Sequence, residues 1–299
     1  MDIPIKFIEA IVKKHFNLDS NSYKALRMDS GFTNFVYKIE TNNKENYIIK
    51  IFKNKFRGNE KEIFKKTEIP KIIFICDNYT IEEFIVFKTV NFSKDMYLIL
   101  RSLKKFHKTK FDTSLKKFDV FYEIFLKNDK LLWDIYNRFK VERDNSVLMH
   151  FDLQEGNILK IEDSIHFIDF EYSSIGPPEL DLANLLEETI TIYENNVFYA
   201  KDKILTDEKI IDCIKIYFSE ELRDLENKNE FYKEKLFKIK YLRYFNNFFH
   251  FLWAKNNLSN NNGSGKNSFD YKKFANLKIK TLLNANIISD EEYNQILLQ

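Results

Sequence analysis

Cysteine is scarce in this chain: Cys76 and Cys213 are the only two among 299 residues. They lie far apart, without a C-x-x-C spacing and without a nearby pair of histidines. A disulfide framework and a zinc site are therefore not indicated, and a reducing compartment is expected.

Long apolar runs are also missing. No stretch of the sequence approaches the length of about 20 apolar residues that a membrane-spanning helix needs. Residues 1–9 carry an acid and a proline where a signal peptide would have a basic region followed by an apolar core. We therefore predict a cytoplasmic protein that does not insert into membranes.

Neither sign of charge dominates, since 47 Lys and Arg face 45 Asp and Glu for a net charge of +2. Basic pairs such as Lys104-Lys105 are predicted to be solvated, so no nucleic-acid partner is expected. With 44% hydrophobic residues, the chain can bury a substantial core and is predicted to form two packed units.

Two short motifs in the middle of the chain point to phosphoryl transfer. His150, Asp152 and Asn157 have the catalytic-loop spacing H-x-D-x-x-x-x-N, and Asp169 follows twelve residues after Asn157. In such a loop the first aspartate is the general base for an acceptor hydroxyl, while the asparagine and the second aspartate hold Mg²⁺ beside the phosphates of ATP. Short apolar runs at 146–149 and 165–168 predict strands flanking the loop. The alternative, that both aspartates are solvated turn residues, does not account for two motifs in this order.

The N-terminal part predicts a nucleotide-binding hairpin. A helix is expected over residues 5–16, strand-like alternation begins near Ser22, and strands at 36–39 and 47–51 follow a turn at residues 29–34. Lys50 on the later strand is predicted to neutralise ATP phosphates and to pair with an acid from the next helix. Glu60 is the first choice for this acid and Glu62 is the alternative. Backbone groups of the turn are expected to approach the phosphates, through Ser30, Gly31, Thr33 and Asn34.

A hinge at Glu83, Phe84 and Ile85 is predicted to offer backbone groups to adenine. The chain then divides into a nucleotide-binding lobe of residues 1–85 and a catalytic and substrate-binding lobe of residues 86–299. Helices are expected after a cap at Ser93, over residues 112–139, and over residues 180–192, where Asp181, Asn184 and Glu188 share a face. The Asn-, Ser- and Gly-rich segment 256–268 predicts a loop between two C-terminal helices.

These motifs resemble the choline and ethanolamine kinases, which belong with the aminoglycoside phosphotransferases to a group with a protein-kinase-like fold. The resemblance is densest at residues 150–159 and 168–174, and it extends to Gly31-Phe-Thr-Asn34, to the hinge and weakly to the aromatic helix at residues 247–253. It implies an α+β fold with two lobes, namely a small one with an antiparallel sheet and a larger, mainly helical one.

The same resemblance implies roles for further residues. Glu171 becomes a further magnesium ligand, and Gln154, Tyr172 and Glu188 face the alcohol substrate. Aromatic faces attract a quaternary ammonium group. The candidate walls around that group are Tyr172, Trp253, Tyr244 and Phe249, with His250 standing where choline kinases usually place a second tryptophan.

Several alternatives remain open at this stage. The cofactors implied are ATP and Mg²⁺, and the substrate is choline, with ethanolamine or an aminoglycoside as alternatives. His250 favours a primary ammonium such as that of ethanolamine, whereas residues 176–183 resemble the aminoglycoside phosphotransferase version of that segment. A catalytically silent kinase-like binding module is the alternative of another class. The oligomeric state is open, with a homodimer among the alternatives.

Overall fold

The computed structural model describes residues 5–28, 34–53, 59–64, 67, 69–110, 115–126, 129–142, 145–193, 198–199, 205–260 and 269–298. The predicted phosphate-loop residues Ser30, Gly31 and Thr33 lie outside these ranges. None of the helices in these ranges has both the length and the apolar character needed to cross a bilayer.

An antiparallel sheet of five strands with a helix on its outer face forms the N-terminal part. Alternation along the strands places Ile39, Ile49 and Ile81 against buried Ile8 and Ile11 of the helix. The intervening residues point to the opposite face, which looks toward the rest of the protein. The elements are α1 (Ile5–Phe16), β1 (Tyr23–Met28), β2 (Asn34–Thr41), β3 (Asn46–Phe52), β4 (Ile72–Ile75) and β5 (Tyr79–Glu83), in the sheet order β1-β2-β3-β5-β4.

The C-terminal part is mainly helical. Its strands form a three-stranded sheet of residues 88–89, 158–161 and 164–167 and two two-stranded sheets, one of residues 147–149 with 174–176 and one of residues 191–192 with 198–199. The predicted α+β class is confirmed, while the lobe boundary at residue 85 stays a prediction. The remaining elements are α2 (Glu60–Phe64), β6 (Lys88–Thr89), α3 (Phe92–His107), α4 (Asp119–Leu126), α5 (Lys130–Arg138), β7 (Val147–Met149), β8 (Ile158–Ile161), β9 (Ser164–Phe167), β10 (Ser174–Gly176), α6 (Pro178–Ile190), β11 (Thr191–Ile192), β12 (Phe198–Tyr199), α7 (Asp207–Tyr217), α8 (Lys228–Asn260), α9 (Tyr271–Asn284) and α10 (Asp290–Leu298).

An aromatic core fixes the long helix α8 against the catalytic segment. Tyr122 of α4 stacks on Phe245 with ring centroids 4.7 Å apart, and Phe249 lies 4.6 Å from Phe151 of the loop after β7. Such rings contribute large buried areas and restrict the rotation of the helix they lie on. His250 and Trp253, which follow on the same helix, are thereby placed beside the catalytic segment.

Three predictions of local structure were wrong in detail. Asn91 rather than Ser93 caps α3, because its side chain accepts hydrogen bonds from the Ser93 and Lys94 amides. The helix expected over 112–139 is two helices, since Asp129 caps a new one by accepting from the Leu132 amide at 3.1 Å. The polar segment 256–268 is helical as far as residue 260, where α8 ends.

Candidate active site

Two buried side chains of α6 hold the loop between β7 and β8. Asp181 accepts hydrogen bonds from the amides of His150 and Phe151, each at 2.7 Å. Asn184 Oδ1 accepts from the Leu153 amide at 2.7 Å. Phe151 has a φ of 64°, a left-handed conformation that costs a non-glycine residue roughly 1–2 kcal/mol, so the anchoring bonds stabilise a strained turn. The candidate base lies between these anchored amides.

Asp152 is a partly buried carboxylate at the centre of the site. Asn157 Nδ2 donates to Asp152 Oδ2 at 2.7 Å and to its backbone oxygen at 3.0 Å, which leaves the Asn157 carbonyl oxygen as the group for a cation. Gln154 Nε2 donates to the same carboxylate at 3.3 Å. Burial raises the pKa of Asp152 well above its usual value, and the neighbouring Asp169 and Glu188 carboxylates raise it further.

Lys50 joins the sheet to the catalytic segment. It lies on β3 between Val36 and Thr80 on the neighbouring strands. Its ammonium is 3.2 Å from Glu60 Oε1 and forms a second ion pair with Asp169. Burial alone would lower the pKa of Lys50, but the carboxylates of Asp169 and Glu60 outweigh that effect and hold the pKa well above its usual value. The lysine is therefore charged where ATP phosphates are expected.

The choice between Glu60 and Glu62 is made by the position of α2. Glu60 is 2% exposed and contacts Lys50, whereas Glu62 is on the exposed side of the same turn. Ile63 and Phe64 bury in the C-terminal core, and Phe64 meets Phe170 with centroids 5.9 Å apart. This packing fixes the rotation of α2 and directs Glu60 toward Lys50.

We expect Glu60→Gln to raise the KM for ATP about 10- to 100-fold, because a charged hydrogen bond contributes about 1.5–3 kcal/mol. Glu62→Gln, a matched change on the same short helix, should leave the KM for ATP within about twofold. Steady-state ADP release at varied ATP measures both. Equal effects of the two substitutions would contradict the assigned pairing.

Asn59 is a positioning residue that the sequence did not reveal. Its side-chain Nδ2 donates to the backbone oxygens of Lys116 and Ser173 at 3.1 and 3.0 Å, and its Oδ1 accepts from the Lys116 amide at 2.9 Å. These bonds attach the start of α2 to two segments of the C-terminal part, immediately before Glu60. No spacing in the sequence indicated this contact, which joins residues far apart in the chain.

The three residues predicted to bind magnesium lie around the same cavity. Asn157, Asp169 and Glu171 all line it and supply amide and carboxylate oxygens, the ligand type that Mg²⁺ prefers. Glu171 also accepts a hydrogen bond from Asn34 Nδ2 at 3.2 Å. Within the described ranges no cluster of three or more His, Cys, Asp or Glu side chains could hold a metal alone. One amide oxygen and two carboxylates beside Lys50 fit an ion that would be shared with substrate phosphates.

An aromatic pocket opens beside Asp152. Its walls include Tyr172, Phe249 and Trp253, as the sequence predicted, and Trp253 Nε1 donates to the Tyr172 hydroxyl at 2.8 Å. Glu188 lines the same pocket and accepts from the Tyr193 hydroxyl at 2.8 Å. The part of the cavity around Glu188 has rings on several sides and a carboxylate, which suits a small organic cation.

The family model of the choline/ethanolamine kinases matches residues 89–283. The chain belongs to this family. A protein LicA homolog of Metamycoplasma hominis is 29% identical over 140 residues, which are 45% of this chain and 53% of that protein. The chain thus matches only about half the length of this relative.

Two solved structures resemble this member of the choline/ethanolamine kinase family over most of its length. A choline kinase from Cryptosporidium parvum Iowa II has a TM-score of 0.69 at 19% identity, covering 99% of this chain and 100% of that one. An ethanolamine kinase from Plasmodium vivax has a TM-score of 0.69 at 18% identity, covering 93% and 89%. At these identities the likeness establishes the fold, and the predicted kinase-like two-lobe architecture is confirmed.

The aromatic pocket also has wall residues that the sequence did not reveal. Tyr193, Phe269 and Phe274 line it, although they lie outside the matched motifs. Phe269 follows the polar segment and Phe274 is on α9, so only the folding of α9 against α8 brings them to the site. Tyr244, a predicted wall, is not among the residues that line the cavity.

His250 lies in the pocket as a buried, neutral imidazole. It is 8% exposed, and its Nδ1 has no hydrogen-bond partner in the part of the chain that the structure describes. Burial lowers the pKa of His250 well below its usual value, and the nearby Lys278 ammonium lowers it further. The pocket therefore offers an uncharged ring at the position where the family often has tryptophan.

The hinge amides are partly used within the sheet. The Glu83 amide donates to Lys71 O at 2.9 Å, and the Phe84 amide donates to Asn46 O at 3.0 Å. Recognition of adenine by the backbone of residues 83–85 stays a prediction, and these two amides serve to hold the hinge in place.

Proposed function

We propose that this member of the choline/ethanolamine kinase family transfers the γ-phosphoryl group of ATP to the hydroxyl of choline. The observation that carries the proposal is the set of aromatic rings that lines the cavity together with Glu188 and Asp152. A quaternary ammonium cannot donate a strong hydrogen bond, so it is recognised by aromatic faces and a nearby negative charge. Tyr172, Trp253 and Phe274 supply such faces, and Glu188 supplies the charge.

The size of the pocket supports a small amino alcohol. The cavity holds about 90 Å³. Since one water-sized group occupies about 10–15 Å³ by this measure, the cavity has room for several such groups. This suits a molecule of the size of choline or ethanolamine.

The proposed mechanism assigns one task to each polar group. Asp152 accepts the hydroxyl proton of the substrate while the substrate oxygen attacks the γ-phosphorus and ADP leaves. Lys50, held by Glu60, offsets the negative charge of the phosphates. Asn157, Asp169 and Glu171 would hold Mg²⁺, which supplies further charge neutralisation at the phosphates when bound. Gln154 orients Asp152 through its amide.

Ethanolamine is the second candidate, and His250 is the observation that favours it. The unpartnered Nδ1 of a neutral imidazole can accept a hydrogen bond from a primary ammonium. Choline has no ammonium proton to donate. We nevertheless favour choline, because Phe269, Phe274 and Tyr193 surround the pocket with more rings than a primary ammonium requires.

The test is ADP release from Mg-ATP with choline, ethanolamine or an aminoglycoside as acceptor. A higher kcat/KM for choline than for ethanolamine would support the proposal. A higher kcat/KM for ethanolamine would identify ethanolamine as the preferred substrate. Turnover of an aminoglycoside alone would reject both. Binding of Mg-ATP without phosphoryl transfer to any alcohol would indicate a silent binding module.

We expect Trp253→Leu to raise the KM for choline roughly 2- to 30-fold with little change in kcat, because one cation-π contact contributes about 0.5–2 kcal/mol. Trp253→Phe is the matched control, since it keeps an aromatic ring and its KM for choline should rise less. Initial rates at varied choline measure both KM values. Equal losses in the two variants would show that volume rather than the aromatic face matters.

A further inference from the structure

A buried lysine lies behind one wall of the proposed ammonium pocket. Lys278 is on α9, one turn after Phe274, and its side chain is 0% exposed. Its Nζ is 5.2 Å from the centroid of the Phe274 ring, and that ring lines the pocket. A substrate cation seated against this wall would therefore share the ring with a second cation.

The surroundings of Lys278 contain opposite charges. From α6, Glu187 Oε2 lies 4.0 Å from Nζ, and Glu188 of the pocket is the next residue. From α8, Arg243 Nε already donates to Glu187 Oε1 at 2.7 Å, and His250 faces the same interior. Two carboxylates thus face two cations before any substrate enters.

A third cation disturbs this balance. When an ammonium substrate binds near Glu188, the buried cluster of Glu187, Glu188, Arg243 and Lys278 would hold one positive charge in excess. A buried group responds to excess charge of its own sign by shifting its protonation, and an ammonium group can lose a proton whereas a guanidinium does not. Lys278 is the cationic member of the cluster that can respond.

We propose that Lys278 tunes substrate affinity by opposing the substrate ammonium and by giving up its proton when that ammonium binds. The inference rests on the proposed function, because it requires an ammonium substrate in this pocket. The proton passes to solvent, and the neutral amine remains beside Glu187. Lys278 is then a specificity-determining residue that does not touch the substrate. It lies behind Phe274 and acts on the substrate ammonium through its charge.

The direction of the pH effect follows from the groups that face the pocket. Burial lowers the pKa of Lys278, although Glu187 and Glu188 oppose that shift. A proton that is already weakly held is released more readily when a second cation arrives, so affinity for choline should rise as pH rises. Burial raises the pKa of Glu188, and loss of its proton would act in the same direction, so the pH profile alone does not separate the two groups.

The experiment is isothermal titration calorimetry in buffers of different ionisation enthalpy, with choline and its uncharged isostere 3,3-dimethylbutan-1-ol as ligands. We expect the parent protein to release protons on binding choline but not on binding the isostere. Lys278→Met should bind choline about tenfold more tightly, as expected for removal of a unit charge at about 10 Å in a medium of dielectric about 20. This variant should also release fewer protons on binding choline, and its affinity for the isostere should equal that of the parent protein.

Lys280→Met is the matched control, since Lys280 is exposed on the same helix and should leave both affinities unchanged. Lys278→Gln, which keeps a polar tail, replaces the methionine variant if thermal melting shows that the latter does not fold.

Three results would overturn the inference alone. The first is that the affinity for choline does not increase in Lys278→Met. The second is that proton release persists unchanged in this variant and so belongs to Glu188. The third is that the affinities for choline and for the isostere change equally, which would indicate an effect of packing. A parent protein that binds no choline would instead reject the proposed function and the inference with it.

Discussion

Asp152→Asn is expected to lower kcat by roughly 10²- to 10⁴-fold, the contribution of a positioned general base. The amide that replaces the carboxylate keeps its size but cannot accept the hydroxyl proton. Asn157 and Gln154, which now donate to Asp152, can still donate to the remaining carbonyl oxygen. The loop should therefore keep its shape, and affinity for Mg-ATP should change less than threefold, well below 1.4 kcal/mol.

Two measurements separate these effects. ADP release with choline gives kcat, and titration calorimetry with Mg-ATP gives the affinity. Asp163→Asn is the matched control, because Asp163 lies exposed in the turn between β8 and β9 and should leave both quantities unchanged. Retention of more than a tenth of kcat in Asp152→Asn would remove Asp152 from its assigned role.

Asp181→Ala is expected to produce the largest loss of stability, about 2–6 kcal/mol. The substitution leaves the buried amides of His150 and Phe151 without an acceptor, and each orphaned group costs about 1–3 kcal/mol. It also removes the partner of His107 Nε2, which lies 2.8 Å from Asp181 Oδ2. Since Phe151 would lose the bond that holds its left-handed conformation, kcat should fall together with stability.

Urea unfolding measures the loss as a change in the free energy of unfolding. Asp212→Ala is the matched control, because Asp212 is exposed on α7 and pairs only with Lys215 within the part of the chain that the structure describes. Its effect should stay within about 0.5 kcal/mol. An Asp181→Ala protein as stable as the control would mean that the catalytic loop is held by contacts other than those to α6.

Much of the candidate site could be predicted from local spacing. Asp152, Asn157 and Asp169 lie in a short stretch whose two flanking strands are visible as apolar runs, so the chain brings them together over few residues. Lys50 was predicted from its place on the strand that follows the hairpin, and the structure places it opposite the face that packs on α1. These predictions depend on interactions between residues that are near in sequence, or on a periodicity that local residues reveal.

Other parts of the site depend on contacts between distant segments. Glu60 could be chosen over Glu62 only once the rotation of α2 about its axis was known. That rotation is fixed by the packing of Phe64 against Phe170. Asn59 binds backbone oxygens at Lys116 and Ser173, and main-chain groups carry no residue type that a pattern could identify. Of the candidate walls on α8 that the resemblance implied, Phe249, His250 and Trp253 line the pocket and Tyr244 does not, because the orientation of the helix decides which side chains reach it.

The sequence by itself determined the reaction class and the family, and it predicted the base and the metal ligands, because phosphoryl transfer requires particular side chains at spacings that a short loop can supply. Only the tertiary structure decided how the substrate pocket is closed. Phe274 of α9 and Phe269 just before that helix reach the pocket, and Lys278 lies behind Phe274, through packing of α9 on α8 that no local pattern encodes. Chemistry is specified by residue type within a motif, whereas the shape and charge of a pocket arise from elements that meet across the fold.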